Sequence, residues 1–169
     1  MKQKDYRIRE AVIKDFPSIM ALFKMNSDTF SRNEIPAAQK YIEELIKGMI
    51  GRFFVSVSKN KIVGCAGYSK EADTDGVYSF NWLAVHPDFK RHGMATELYN
   101  MIENKIKAFG GRLIIVNAGS NEVNRFFYKK MGFKACGRIP QYHSEKKDLI
   151  WYYKKVSKNK NLLKHFTIV

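Results

Sequence analysis

The sequence has little cysteine and little acidic charge, and it lacks an apolar run long enough to cross a membrane. Its two cysteines, Cys65 and Cys136, lie far apart, which excludes a disulfide framework and a cysteine-rich metal site. We therefore expect reduced structural thiols and no metal. The N-terminal stretch "MKQKDYRIRE" lacks the apolar segment of a signal peptide. These absences predict a cytoplasmic protein that does not associate with a membrane.

Acidic residues are outnumbered, because 16 Asp and Glu stand against 30 Lys and Arg, giving a net charge of +14. Such a field favours anionic partners: phosphorylated cofactors, nucleic acids or acidic protein surfaces. The lysines are spread over several segments, as on a solvated surface. A nucleic-acid module would interleave aromatic and basic residues on one face. Only "WYYKKVSKNKNLLKH" hints at this, and its alternation predicts a strand first, so nucleic acid is not an expected partner.

Hydrophobic residues make up 45% and charged residues 27% of the chain, as in a globular protein. The strand-like segments are "DYRIREA", the hairpin "RFFVSVSKNKIVGCAGYS" turning at Lys59 and Asn60, "VYSFNWLAV", "RLIIV", "FKACGRI" and "DLIWYYKKV". The helix-like segments are "VIKDFPSIMALFKM", "AAQKYIEELIKGMI", residues 94–108 and "NEVNRFFYKKM". "NSDTFSRNEIP" and "PQYHSEKK" are predicted loops, and the wholly apolar "RLIIV" is predicted to be buried on both faces.

The resulting order, β-α-α-β-β-β-α-β-α-β-β, predicts one α/β domain with a mixed sheet and helices on both faces. No linker or repeat divides the sequence, so we expect a single domain over residues 1–169 with a core of about residues 5–156. Residues 157–169 overrun the last predicted strand. They are either a frayed tail or an apolar arm.

The stretch "VHPDFKRHGMATEL" turns a strand into a helix, and basic residues crowd that turn. A helix N-terminus carries unpaired N–H groups and partial positive charge. Gly93 removes a side chain that would block close approach, and Lys90, Arg91 and His92 add donors. The turn therefore suits a phosphate or pyrophosphate. The alternative is an ordinary turn in which glycine supplies only the backbone angles.

The same stretch resembles the acyl-coenzyme-A-binding turn of the GNAT superfamily of N-acetyltransferases, which reads Gln/Arg-x-x-Gly-x-Gly/Ala. Gly93 and Ala95 take the two small positions. Lys90 stands where the family prefers Gln or Arg, which keeps a donor but loses the planar fork.

Further segments carry the resemblance over most of the chain. "YRIREAVIKDFPSIMALF" and "KIVGCAGYS" are similar to the family's opening strand and helix and to its third strand. "NEVNRFFYKKMGF" resembles Asn-x-x-Ala-x-x-Leu-Tyr-x-x-x-Gly-Phe, with Asn121, Tyr128, Gly132 and Phe133 in register and Asn124 in place of alanine. The resemblance implies the GNAT fold: a single mixed, mostly antiparallel sheet of about seven strands, splayed between strands 4 and 5.

The resemblance also implies acetyl-CoA as the acetyl donor. Its pantetheine arm would pair with the fourth predicted strand, and its pyrophosphate would lie on the amides from His92 to Thr96. A backbone N–H near Leu83 would face the thioester oxygen. The implied cofactor-binding residues are Leu83, Ala84, Val85, Lys90, Arg91, His92, Gly93, Met94, Ala95, Thr96, Asn121, Asn124, Phe127 and Tyr128.

By the same resemblance Tyr128 is the catalytic general acid, which protonates the departing sulfur of coenzyme A. The alternative is that Tyr128 belongs to an aromatic core with Phe126 and Phe127, and for the two phenylalanines core packing is at least half of the interpretation. Asn121 binds the cofactor, caps a helix, or does both.

The general base is not evident, because "VYSFNWLAV" contains no carboxylate where many family members carry a glutamate. Asp73, Asp75, Glu34 and His86 are alternatives elsewhere in the sequence. We interpret Asn81 as a second catalytic residue that holds a relay water. Direct acetyl transfer is preferred to a route through either cysteine, since neither has a histidine partner nearby in sequence.

The acceptor would contact Glu34, Tyr142 and His143, the last two standing where some family members place a Tyr-Tyr pair. The sequence thus predicts an N-acetyltransferase that acts directly on a primary amine of a small molecule or of a peptide or protein N-terminus. The alternative is a GNAT-fold protein that senses acyl-CoA or docks on nucleic acid without catalysis. A homodimer is a further expectation from the family.

Overall fold

A computed structural model describes residues 5–27, 29–30 and 33–156, so the predicted tail 157–169 lies outside the described residues. The strands are β1 (Arg7–Glu10), β2 (Gly51–Ser58), β3 (Lys61–Lys70), β4 (Val77–Val85), β5 (Leu113–Gly119), β6 (Lys134–Ser144) and β7 (Lys147–Lys155). The helices are α1 (Phe16–Lys24), α2 (Glu34–Ile46), α3 (Met94–Ala108) and α4 (Glu122–Lys130), with 3-10 turns at Ile13–Asp15 and Pro87–Phe89. The predicted order of strands and helices is confirmed.

The strands form one seven-stranded sheet in the order β1-β2-β3-β4-β5-β7-β6. The pairs β1–β2, β2–β3, β5–β7 and β6–β7 are antiparallel, and β4–β5 is parallel. The β4–β5 register covers Val77↔Leu113, Tyr78↔Ile114 and Ser79↔Ile115. The mixed sheet confirms the predicted fold class.

The predicted loop "PQYHSEKK" is wrong, because β6 continues to Ser144 and β7 begins at Lys147. Asp148 holds this end of the hairpin, where the Gln141 amide donates to its Oδ1 at 2.8 Å and Arg138 donates to its Oδ2 at 2.7 Å. Nearly every side chain of β6 is exposed. A strand exposed on both faces needs no apolar alternation, so the sequence showed no strand there.

One boundary and one burial pattern also differ from the prediction. Helix α2 begins at Glu34 and takes Pro36 into its first turn, where a missing N–H costs no hydrogen bond. Glu34 is therefore helical. In β5 Ile114 and Val116 are buried, whereas Leu113 and Ile115 are only half-buried, so the prediction of complete burial was wrong.

Contacts divide the chain into two compact units. The first contains β1, β2, α1, α2, β3 to Ser69, and Phe80–Asn100. The second contains Lys70–Ser79 and the described residues from Met101 onward. The single domain over residues 1–169 stays a prediction.

In the first unit, helices cover both faces of the strands. Val55 of β2 belongs to the apolar core formed with α1 and α2. The next residue, Ser56, points to the opposite face because side chains alternate along a strand. A Cβ built on Gly64 there would lie 2.5 Å from Met94 Sδ and 3.3 Å from Ser56 Cβ. The first residue of α3 therefore packs directly on bare β3 backbone.

The helices of the first unit bury apolar side chains that recur at helical spacing. The fully or almost fully buried members are Ile19, Leu22, Phe23, Ile42 and Leu45. Each such side chain stabilises the fold by about 1.5–3 kcal/mol relative to exposure. No helix in the described part of the chain combines the length and apolarity needed to cross a membrane.

Asp15 stabilises the backbone turn that leads into α1. It is the N-cap residue of α1, but its carboxylate does not cap that helix. Instead it accepts hydrogen bonds from the Arg9 guanidinium at 2.6 and 2.9 Å and from the Val12 amide at 2.9 Å. The Arg9 hydrogen bonds hold the pKa of Asp15 below its ordinary value of 3.8.

In the second unit, β7 packs against α4 and the C-terminal part of α3. The rings of Tyr152 and Tyr128 lie 5.0 Å apart. Glu103 of α3, 7% exposed, pairs with Lys107 Nζ at 2.6 Å and with Lys154 Nζ at 2.5 Å. Burying this carboxylate is tolerable because two cations neutralise it.

Substituting Gly64 by alanine should test the contact between α3 and β3. The new methyl group would collide with Met94 Sδ, so we expect the free energy of unfolding to fall by about 1–3 kcal/mol in urea denaturation. The control is Gly137→Ala on β6, whose new Cβ would meet only Trp151 at 3.8 Å and should change stability by less than about 0.5 kcal/mol. Equal stability of the two variants would contradict the close packing.

Asp15→Asn should lower the free energy of unfolding at neutral pH by about 1.5–3 kcal/mol, the usual contribution of a hydrogen bond to a charged group. Because the folded-state pKa is depressed, this contribution is present above the ordinary pKa of 3.8 and is lost as pH falls through the folded value. Urea denaturation should therefore show the difference from the wild type narrowing on acidification.

The control for this pH dependence is Asp5→Asn, which removes an exposed ion pair with Lys59 at 3.8 Å. Its effect on the free energy of unfolding should stay within about 0.5 kcal/mol at both neutral and acidic pH. If the Asp15→Asn difference did not change with pH, the assignment of that stability to the ionised carboxylate would be wrong.

Candidate active site

The turn between β4 and α3 is exposed and left-handed at two residues. Its chain runs through Arg91 at φ 63° and Gly93 at φ 85° before α3 begins. A Cβ on Gly93 would meet no atom within 4 Å, so glycine is required there by the backbone angle and not by crowding within the protein. The side chains of Lys90, Arg91 and His92 are exposed around this open space.

The first turn of α3 presents backbone donors beside those basic residues. The first intrahelical bond runs from the Glu97 amide to the Gly93 carbonyl at 3.0 Å, so the amides of Met94, Ala95 and Thr96 precede the helical ladder. Met94 itself is 1% exposed, and its side chain packs in the hydrophobic core. The structure therefore brings the seven predicted residues from Lys90 to Thr96 into one contiguous exposed turn and helix start, with main-chain donors at the positive end of the helix dipole.

Strand β4 carries a bulge in its middle. Trp82 has φ 54°. Phe80 packs against Tyr99 of α3 at 5.3 Å, whereas Trp82 packs against Phe23 and Phe30 at 5.7 and 5.8 Å. Residues two apart would normally share a face, so the left-handed residue turns Trp82 to the α1 side. Beyond the bulge, Leu83 is half-buried, and Ala84 and Val85 are buried.

Asn81 lies on the same face as Trp82, within a polar cluster of the first unit. Its Nδ2 donates to the Tyr41 hydroxyl at 3.1 Å and to the Ser69 hydroxyl at 3.0 Å. These two hydroxyls lie 2.7 Å apart. The sequence analysis missed Tyr41 and Ser69, although a tyrosine within the apolar stripe of α2 was an available signal.

In the second unit, two asparagines shape the start of α4. Asn121 is the N-cap, and its Oδ1 accepts from the Asn124 amide at 2.8 Å. The predicted capping role is therefore present. Asn124 Nδ2 donates to the Gly119 carbonyl at 3.0 Å, so this side chain ties the helix to the end of β5.

Tyr128 is 7% exposed, and three aromatic rings surround its own. Phe127, Phe133 and Tyr152 lie 5.4, 5.6 and 5.0 Å away. Burial, with a smaller contribution from Tyr152, raises the pKa of Tyr128 well above its ordinary value of 10.0. The hydroxyl is protonated at neutral pH, as that of an ordinary tyrosine also is, and its burial makes it a weaker acid.

The phenylalanines before Tyr128 differ from one another. Phe127 is half-buried against Tyr128. Phe126 is 71% exposed, so its prediction as core was wrong. Phe126 lies two residues before the buried Tyr128, about 200° around the helix, so it faces solvent.

The candidate acceptor residues occupy regular elements. Glu34 is the first residue of α2. Tyr142, 59% exposed, and His143, half-buried, are in edge contact at 5.0 Å on β6 and not in a loop. These side chains stay predicted acceptor contacts.

The carboxylates weighed as a base lie in the connection between β3 and β4. Asp73 and Asp75 are both exposed, and the Asp75 carbonyl accepts from Arg112. The sequence analysis missed Glu71, which is half-buried and accepts from the Ser79 hydroxyl. No signal in the sequence indicated Glu71, because its position beside Ser79 depends on backbone pairing, where the Glu71 amide donates to the Val77 carbonyl at 3.0 Å.

Cys65 and His86, the other candidate catalytic side chains, have surroundings that do not favour catalysis. Cys65 is fully buried, and burial raises the pKa of its thiol, which disfavours the reactive thiolate. Cys136 is exposed. His86 Nδ1 accepts from the Asp88 amide at 3.3 Å and caps a 3-10 turn. The described residues hold no group of three or more His, Cys, Asp or Glu side chains suited to a metal ion.

Residues 50–135, just over half of the 169 in the chain, match the family model of the acetyltransferase (GNAT) domain. The chain belongs to the GNAT acetyltransferases. This GNAT acetyltransferase is 26% identical over 136 residues to the amino-acid acetyltransferase of Azotobacter vinelandii. That match covers 79% of this chain but only 29% of the relative's length.

Two solved structures show the same fold. A GNAT-family protein from Desulfovibrio desulfuricans superposes with a TM-score of 0.80 at 22% identity, over 90% of this chain and 99% of its own. An aminoglycoside 6'-N-acetyltransferase complexed with coenzyme A has a TM-score of 0.71 at 17% identity, over 88% of this chain and 96% of its own. GNAT enzymes take their acetyl group from acetyl-CoA.

Gly93→Ala should test the turn before α3 as a cofactor site. The new methyl group would enter the open space above the helix amides, so we expect acetyl-CoA affinity to fall about tenfold or more in calorimetry. The unfolding free energy should fall by only about 1–2 kcal/mol from backbone strain.

Gly110→Ala is the matched control, because Gly110 follows the other end of α3 with φ 76° and equally open surroundings. It should lose similar stability and keep its acetyl-CoA affinity. Equal affinities in the two variants would exclude Gly93 from the cofactor site.

Proposed function

We propose that this GNAT acetyltransferase transfers an acetyl group from acetyl-CoA directly to a primary amine of a small molecule or of a peptide or protein N-terminus. The observation that carries the proposal is Tyr128, which matches the family's tyrosine in sequence and lies buried among three aromatic rings. The matching family and the exposed basic turn at Gly93 support it.

The cofactor would be held mainly by backbone groups. The pyrophosphate would accept hydrogen bonds from the first amides of α3, with Lys90, Arg91 and His92 adding positive charge. The net charge of +14 attracts such an anion at long range. The pantetheine arm would pair with backbone at Leu83, Ala84 and Val85, and the Leu83 N–H would stabilise the thioester oxyanion.

The transfer forms one N–C bond and breaks the C–S bond of the thioester. The ammonium of the acceptor first loses a proton through a water held by Asn81 to bulk solvent, since a neutral amine is the nucleophile. The electron pair of the broken C–S bond stays on sulfur, which takes a proton from Tyr128. The new amide nitrogen then loses its remaining extra proton to water, and the Tyr128 oxygen regains a proton from solvent. Burial of Cys65 supports direct transfer over an acetyl-cysteine intermediate.

One observation favours a second function: β4 carries no carboxylate along its length. A GNAT protein without an effective base would bind acyl-CoA as a sensor, or dock on nucleic acid, without turnover. The acceptor assay separates these functions. Release of free thiol from acetyl-CoA in the presence of amino acids, polyamines, aminoglycosides or peptides with free N-termini supports the enzyme. Acetyl-CoA binding without thiol release across the whole panel would identify a sensor.

Tyr128→Phe should lower kcat about a hundredfold or more, because a positioned general acid typically contributes at least that factor. Acetyl-CoA affinity in calorimetry should stay within about twofold, since the aromatic packing is kept. Tyr153→Phe is the control, a neighbouring half-buried tyrosine that alternation places on the opposite face of β7 from Tyr152. Unchanged kcat in Tyr128→Phe would remove this residue from the mechanism.

A further inference from the structure

Three polar side chains from separate elements of the first unit form a closed triangle. Tyr41 comes from α2, Ser69 from β3 and Asn81 from β4. The three sides measure 2.7 Å between the hydroxyls, 3.0 Å from Asn81 Nδ2 to Ser69 Oγ and 3.1 Å from Asn81 Nδ2 to the Tyr41 hydroxyl. Ser69 is 4% exposed, and the other two are half-buried.

The number of hydrogens fixes which way the Asn81 amide points. Three contacts need three hydrogens, and each hydroxyl carries one. If the amide oxygen faced the hydroxyls, only two hydrogens would be available and one contact would lack a donor. With the NH₂ group facing them, the amide supplies two hydrogens and one hydroxyl supplies the third. The triangle is therefore satisfied only with Asn81 Oδ1 directed away from Tyr41 and Ser69.

The surroundings hold this orientation firmly. The bulge at Trp82 follows Asn81 directly, and the Trp82 ring is fixed by Phe23 and Phe30 at 5.7 and 5.8 Å. Rotation of the half-buried Asn81 amide is unfavourable in free energy, because the two hydrogen bonds donated by its NH₂ group would be lost.

We propose that Tyr41 and Ser69 are positioning residues for acetyl transfer, which turn the carbonyl oxygen of Asn81 toward the acceptor amine and its relay water. This inference rests on the proposed function and names the residues that orient the acceptor amine for the reaction. Asn81 Oδ1 accepts a hydrogen bond from the ammonium or from the water that takes its proton. A fixed carbonyl dipole thereby selects N–H-bearing acceptors and orients the nitrogen lone pair.

Steady-state kinetics on Tyr41→Phe and Ser69→Ala test the proposal. Each variant frees the amide to rotate, so we expect kcat/KM for the acceptor to fall about five- to tenfold. Acetyl-CoA affinity in calorimetry should stay within about twofold. Unchanged kcat/KM in both variants, or an equal loss of acetyl-CoA affinity, would overturn the proposal.

The chain offers a matched control for each substitution. Tyr99→Phe alters a tyrosine whose ring packs on Phe80, on the opposite face of β4. Ser56→Ala removes a buried hydroxyl that makes no hydrogen bond to the described residues. Both controls should keep acceptor kcat/KM within about twofold. A loss equal to that of the test variants would show a general effect of hydroxyl removal and would refute positioning.

A double-mutant cycle separates positioning from an independent role. If Tyr41 acts through Asn81, then adding Tyr41→Phe to Asn81→Ala should cost no further activity beyond about twofold. Full additivity of the two losses would refute the proposed route.

The side-chain amide signals of Asn81 in NMR provide a readout that needs no turnover. Signals absent from the Asn81→Ala spectrum identify them. Both amide protons should exchange with solvent at least about tenfold more slowly than those of an exposed asparagine, and Tyr41→Phe should remove that protection. If the amide protons are protected but the protein releases no thiol, the hydrogen-bonded triangle exists and the proposed enzymatic function is wrong. If the protein is active but the amide protons are unprotected, only the proposed triangle is wrong.

Discussion

The left-handed residue in the middle of β4 is the constraint on which the first unit depends. A regular strand would send Phe80 and Trp82 to one face and Asn81 to the other. The backbone at Trp82 instead lets Phe80 pack under α3 while Asn81 and Trp82 both face α1 and α2. A non-glycine residue in this region costs about 1–2 kcal/mol, which the aromatic contacts of Trp82 offset. Asn81 already faces α2 by alternation from Phe80, and the irregularity brings Trp82 to the same face as the polar triangle.

Sequence patterns predicted most elements because those elements bury one face. The spacing of Leu98, Ile102 and Ile106 predicted α3 to its observed ends, and Lys59 and Asn60 predicted the β2–β3 turn, where φ is 46° and 64°. The same reasoning predicted the first half of β6 as a strand but failed from Pro140 to Ser144, where the side chains are mostly exposed and show no period. It also failed on the extent of α2, because a proline in a first turn looks identical to a proline in a loop.

Some residues of the candidate site could likewise be predicted from the sequence, and others could not. The basic turn and the α4 segment are each continuous in sequence, so local spacing and family resemblance were enough to nominate Gly93, Asn121 and Tyr128. Tyr41, Ser69 and Glu71 acquire their partners only through tertiary or hairpin pairing, which local spacing in the sequence does not show. The left-handed backbone at Trp82 could not be predicted either, since regular alternation along β4 would have placed Trp82 on the face opposite Asn81.

The contrasting exposure of the two cysteines has a practical consequence for anyone who follows the released cofactor with a disulfide reagent. Cys136 is open to solvent and will react with such a dye at once, contributing a fixed background proportional to enzyme concentration. Cys65 lies in the core and will stay silent until the chain unfolds. A second equivalent of colour that develops slowly without acceptor would therefore report denaturation, so the same dye measures the integrity of the preparation alongside its turnover.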